Sequence, residues 1–129
     1  MISVDTNLVV RLLTRDDELQ YRKARQVFES EQVFIADTVV QETEWVLRFA
    51  YHFSAEDISA AFTRLFGLKS IHLTVPAVIS NAIEWHQKGL GFSDALHLAQ
   101  SQQCERLVTF DKQFVARAKN LAECRVVVP

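Results

Sequence analysis

Short apolar or β-branched runs occur at residues 2–4, 33–36, 71–73, 107–108 and 125–128. Each adjoins a longer stretch in which apolar residues recur about every 3.6 positions, the spacing of a helix with one buried face. These patterns predict helices over 7–14, 18–30, 39–51, 55–65, 76–88, 93–103 and 112–119. Within 18–30, Leu19, Ala24, Val27 and Phe28 share the apolar side. Thr38, followed three positions later by Gln41, reads as a capping box opening the third helix. Ser54 is an N-cap for the fourth. Pro76 and Gly89 bracket the fifth, in the positions where proline starts and glycine ends a helix.

Strands that alternate with helices pair in parallel through right-handed crossovers. The expected fold class is α/β, a small α/β/α sandwich with a short parallel sheet of four or five strands. At 129 residues the chain is expected to form a single domain, 1–129. Only three glycines and two prolines interrupt it, so helices should be long and connectors short. In such sheets ligands bind beyond the carboxyl ends of the strands. Functional residues should therefore follow the strand runs directly.

Composition narrows the field only a little. Apolar residues make up 49% and charged residues 23%, ordinary globular usage that excludes a disordered chain. A formal net charge of -2 argues against coating nucleic acid by bulk charge, though not against a local groove. Cys104 and Cys124 fit no metal-binding spacing and read as reduced thiols. With no leader and no long uncharged apolar run, the expectation is a cytoplasmic protein without membrane segments. The four histidines form no H-x-x-H pattern, which disfavours a zinc enzyme.

Four acids attract attention. Asp5 follows the first strand run and Asp111 follows a later one. A helix N-cap is the plain structural reading of each. On a wheel of the helix 39–51, Gln41, Glu44 and Arg48 form a polar arc, while Val39, Thr43, Val46, Leu47 and Ala50 crowd the opposite one. Trp45 and Phe49 extend that apolar arc past Glu42, which makes Glu42 a carboxylate within an apolar stripe and Glu44 a solvated acid. A charge so placed is costly unless paired or bound to a cation, so its plain alternative is a salt bridge. Asp94 opens the sixth helix on its polar side with His97 and Ser101, and periodicity alone does not separate function from surface. If the four converge, two carboxylates about 5 Å apart repel by roughly 3 kcal/mol at an effective dielectric of about 20. A cluster of this kind must take up protons or a cation, and all-oxygen donors favour Mg²⁺ or Mn²⁺ over zinc.

Four segments occur in order: Val4-Asp5-Thr6-Asn7, Glu42-Thr43-Glu44-Trp45-Val46-Leu47-Arg48, Phe92-Ser93-Asp94-Ala95-Leu96-His97 and Thr109-Phe110-Asp111. In these the sequence resembles PIN-domain proteins, specifically the VapC toxins of bacterial toxin–antitoxin pairs. The likeness covers nearly the full length. It implies a PIN-like fold and a Mg²⁺- or Mn²⁺-dependent endoribonuclease acting on RNA. It implies Asp5, Glu42, Asp94 and Asp111 as the catalytic, metal-binding acids, with Asn7 and Thr109 as supporting polar groups. It prefers Glu42 to Glu44, because the family's glutamate stands three positions before the tryptophan. It also implies a VapB-type antitoxin partner and a homodimer. The alternative from another class is a non-catalytic PIN-like scaffold that binds a protein.

Other features carry less. The run Arg22-Lys23-Ala24-Arg25 is interleaved with acids and reads as a solvated face. Arg11, Arg15, Lys88 and Lys112 are candidates for holding an RNA backbone. Phe49, Phe53, Phe62 and Phe66 fit either a groove for an antitoxin helix or a core. A haloacid-dehalogenase site would need an Asp where Asn7 stands.

Overall fold

The N-terminal apolar run becomes β1, Ile2–Ser3, in a computed structural model that describes residues 1–129. Next come α1 (Thr6–Thr14), α2 (Glu18–Ser30), β2 (Val33–Phe34), α3 (Asp37–Tyr51), α4 (Ala55–Phe66) and β3 (Ile71–His72). These elements belong to a compact unit, Met1–Pro76. A second unit, Ala77–Pro129, contains α5 (Pro76–Gln87, whose first residue closes the first unit), α6 (Phe92–Ala99), β4 (Arg106–Val108), α7 (Lys112–Arg117) and β5 (Arg125–Val127). All five strand runs form strands, and every pairing is parallel. The architecture is α/β with short parallel sheets.

In the first unit the strand order is β1-β2-β3, with Ile2 opposite Val33 and Val33 opposite Ile71. Two helices cross between each pair of successive strands, as parallel pairing demands. The strands are only two residues long, so backbone pairing contributes little and helix packing must hold the unit. Val33, Ile35, Leu47 and Phe62 are fully buried at its centre. In the second unit β4 pairs with β5, Arg106 opposite Arg125, through the short crossover α7. Ile79, Ala82, Ala95 and Leu98 form its centre. Gly89, at φ 107°, makes the turn that lets Leu90 drop into that core. No helix is long and apolar enough to cross a membrane.

Helix starts follow the sequence signals with one exception. Asp5, Asp17 and Asp111 each cap a helix with the side chain, and Ser54 forms a capping box with Asp57. The expected box at Thr38 and Gln41 is absent. α3 starts two residues earlier, behind Ala36, which has no side chain to cap with. The sixth helix is also shorter than its apolar period predicts. Ser101 Oγ donates to the His97 carbonyl and Gln102 Nε2 to the Leu98 carbonyl, both at 2.7 Å, so the terminal carbonyls are satisfied from beyond α6. Both cysteines are free thiols, Cys124 buried and Cys104 exposed.

Candidate active site

In the first unit the chain leaves β1 through buried Val4 and turns at Asp5 into α1. Asp5 is exposed and accepts a hydrogen bond from the Leu8 backbone N–H at 3.4 Å. The plain N-cap reading therefore holds for it, and leaves the carboxylate's second oxygen open. Thr6, next in the chain, is buried and donates its hydroxyl to Oε1 of Glu42 on α3. Glu42 is thus held at the corner where Asp5 stands. Sequence alone does not single out Thr6, although its hydroxyl stands directly after the strand-end acid.

The burial expected on α3 is reversed. Glu42 is exposed, and Glu44 is the buried acid, at 2% exposure. The core stripe of α3 is Val40, Thr43, Glu44 and Leu47, an i, i+3, i+4, i+7 set. Glu44 is satisfied by Arg48, whose Nε lies 2.9 Å from Oε2. Trp45 and Phe49, at 53% and 58% exposure, stack on each other outside the core. Their exposure shifts the apolar arc of α3 away from Glu42 and onto Glu44. Of the four phenylalanines, Phe62 is core, Phe53 and Phe66 are half-buried, and Phe49 is exposed.

In the second unit Asp94 lies in the first turn of α6 and is half-buried. Burial raises its carboxyl above the ordinary carboxylate range, and the nearby charge of Asp111 pushes it the same way; His97 and Arg117 oppose them. Asp111 caps α7, accepting from the Gln113 and Phe114 backbone N–H groups at 2.9 and 3.1 Å through one oxygen. Its own N–H donates to Thr109 Oγ1 at 3.0 Å. Thr109 therefore shapes the loop that aims Asp111. Asn7 is exposed, and its side chain forms no hydrogen bond.

The structure brings the acids together as two pairs, Asp5 with Glu42 and Asp94 with Asp111. Neither unit by itself gathers three or more metal-ligating side chains. None of the four forms an ion pair with lysine or arginine. The remaining oxygens are hard, anionic donors of the kind that suits Mg²⁺ or Mn²⁺. Several basic candidates are by contrast already engaged. Arg15 pairs with Glu18, Lys88 with Glu84, and Arg11 with Asp16.

The PIN domain family matches residues 2–120. The chain belongs to that family. Among solved structures it is similar to Mycobacterium tuberculosis VapC20, described as a sarcin–ricin loop cleaving toxin. Identity is 22% over 97% of this chain and 99% of that one, with a TM-score of 0.45. Among curated proteins none matches.

Proposed function

We propose that this PIN-domain protein is a Mg²⁺- or Mn²⁺-dependent endoribonuclease of the VapC toxin kind, acting in the cytoplasm as one 1–129 domain. The observation that carries the reading is the open charge of the four acids. Glu44, which is structural, has its arginine, whereas Asp5, Glu42, Asp94 and Asp111 have none. Leaving acids unpaired beside one another is costly unless they serve a cation.

The family resemblance supports Asp5 and Asp94 as acids that would bind divalent metal, with Glu42 and Asp111 as direct or water-mediated ligands. When bound, a divalent ion lowers the pKa of a bound water and neutralises charge on the phosphate oxygens. A carboxylate not committed to the metal, best Glu42, would accept the proton of the attacking water; the Thr6 bond, which occupies one of its oxygens and leaves the other unbonded, supports that role. Water would add to phosphorus as its proton passes to the carboxylate base, the bond to the ribose 3′ oxygen would break, and that oxygen would take a proton from solvent, giving a 5′-phosphate and a 3′-hydroxyl. Asn7 and Thr109 support this chemistry as a free amide near Asp5 and as the shaper of the Asp111 loop.

The partners that accompany this reading are a VapB-type antitoxin and a second copy of the chain. A groove of about 670 Å³ lies between α1 and α4, lined by Leu12, Leu13, Phe53, Ala60, Leu65 and Leu68. Its apolar lining suits an amphipathic antitoxin helix, with Asp57 and Arg64 at hand for polar contacts.

The test is cleavage of RNA by the purified protein in Mg²⁺. Cleavage should stop in excess chelator and in Asp94→Asn. A protein that cuts no RNA and gives no heat with Mn²⁺ in calorimetry would instead be the protein-binding scaffold.

A further inference from the structure

Beside Asp5 the first unit contains a hollow of about 250 Å³ between α1 and α2, bounded by Asp5, Asn7, Arg11, Gln20 and Lys23. Its size is below the roughly 300–1,000 Å³ of pockets that take a whole drug-sized ligand. It suits a small group. Its polar lining is rich in unused donors. On α2, Arg22 is paired with Glu18 at 3.4 Å and Arg25 with Glu29 at 2.6 Å. Lys23 alone of that basic run has no acid, and it is the one that faces the hollow. Arg11 spends Nε on Gln20 and Nη1 on Asp16 and Tyr51, which fixes the guanidinium and leaves Nη2 unused. The Asn7 amide is likewise free.

We infer that this hollow is a phosphate-binding subsite, in which Lys23, with the Asn7 amide and Arg11 Nη2, holds a phosphate of the RNA strand next to the one attacked at Asp5. The inference rests on the nuclease reading of Asp5. An ammonium, an amide and a fixed guanidinium edge are the donors that phosphate oxygens accept from. The free donors come from both helices, Asn7 and Arg11 from α1 and Lys23 from α2. A phosphate held by these donors would lie in the same hollow that Asp5 bounds. The solvated-face reading of the basic run applies to Arg22 and Arg25, and Lys23 departs from it because its neighbours have taken the acids.

The experiment measures binding of a short RNA in chelator, where no cleavage occurs, as a function of salt. Each phosphate contact in a single strand contributes about 0.7 to the log–log salt slope. Lys23→Ala should lose about that much slope, and Lys23→Arg should restore it. Arg25→Gln, on the same helix but paired, should leave the slope unchanged. In Mg²⁺, Lys23→Ala should raise KM severalfold with kcat preserved. Replacing single phosphates by uncharged methylphosphonate should weaken wild-type binding at one linkage beside the cleaved bond, and Lys23→Ala should be indifferent there. An unchanged slope in Lys23→Ala, with wild-type cleavage intact, overturns the subsite alone. A wild-type protein that neither binds nor cuts RNA removes the nuclease reading and this subsite together. A variant that loses only inorganic phosphate, with RNA binding unaltered, overturns the assignment to an RNA strand.

Discussion

Thr6 donates its hydroxyl to Glu42 across 36 residues of sequence, and this single bond ties the turn after β1 to the middle of α3. Thr6 is buried while Glu42 is exposed, so the bond anchors an exposed carboxylate to a buried side chain. Thr6→Val keeps the shape and removes the donor. It should cost about 1 kcal/mol in chemical denaturation, the range of an ordinary hydrogen bond and below that of a buried bond to a charged group, because Glu42 stays hydrated. It should lower kcat for RNA cleavage, and Thr6→Ser should recover most of it. Full activity in Thr6→Val would show that Glu42 needs no anchor.

The two glutamates of α3 should separate cleanly. Glu42→Gln removes a proton acceptor from an exposed position, so stability should shift by less than about 0.5 kcal/mol. Cleavage should fall by about 10²–10⁴-fold. Arg48→Ala does the opposite. It strands the buried Glu44 carboxylate and should cost about 1–3 kcal/mol, less than the loss of a wholly buried pair because Arg48 is half-exposed. Its cleavage rate should not change. Arg22→Ala breaks an ion pair of the same helical spacing, but an exposed one, and should cost less than about 0.5 kcal/mol. Urea denaturation read beside an RNA cleavage assay decides each case.

Asp94 gives the protein a pH dependence of definite sign. Burial, then the charge of Asp111, raise its carboxyl in the folded state above the ordinary value of 3.8. Between the ordinary value and the raised one the folded state binds more protons than the unfolded chain, so stability falls as pH rises through that window. Above it the penalty stays constant, and below the ordinary value it vanishes. Asp94→Asn should therefore be the more stable protein at neutral pH without divalent ions, and should lose that advantage in acid. A gap that does not narrow on acidification would place the penalty elsewhere. Asp111→Asn retains a capping side chain while removing the charge, so it should lower the Asp94 pKa in carboxylate titrations by NMR.

Much of this was legible in the sequence, and the reasons for the remainder are local. All five strands could be read because each is a β-branched run beside a helical period, and parallel pairing followed from their alternation. Asp5 and Asp111 could be placed at the ends of β1 and β4 from their position after those runs. The polarity of α3 could not be read. Hydropathy counts Trp45 and Phe49 as core, whereas the fold exposes them and buries Glu44 with Arg48 one turn away as its partner. A side-chain pairing of this kind leaves no trace in the apolar period. The end of α6 was hidden in the same way, because Ser101 and Gln102 reach back to carbonyls that a helix would have needed residues 101–103 to satisfy. Lys23 does not stand out in the sequence, which shows a charge run as a unit, and only the structure shows which members are neutralised.

Divalent ions should stabilise the protein as well as activate it. Binding to the folded state alone adds about 2.7 kcal/mol at a hundredfold excess over Kd. Relief of the repulsion between Asp94 and Asp111 is part of that gain, so it should shrink in acid as Asp94 takes up its proton. Mn²⁺ should accordingly raise the melting temperature at neutral pH, and chelator should reverse it. The rise should be lost in Asp5→Asn and in Asp94→Asn, but kept in Arg48→Ala, whose acid already has a structural task. Calcium should reproduce the stabilisation if it fills the same carboxylates, since the effect requires charge and oxygen ligands but no chemistry. A melting temperature indifferent to Mn²⁺ at neutral pH would mean that the four carboxylates hold no ion.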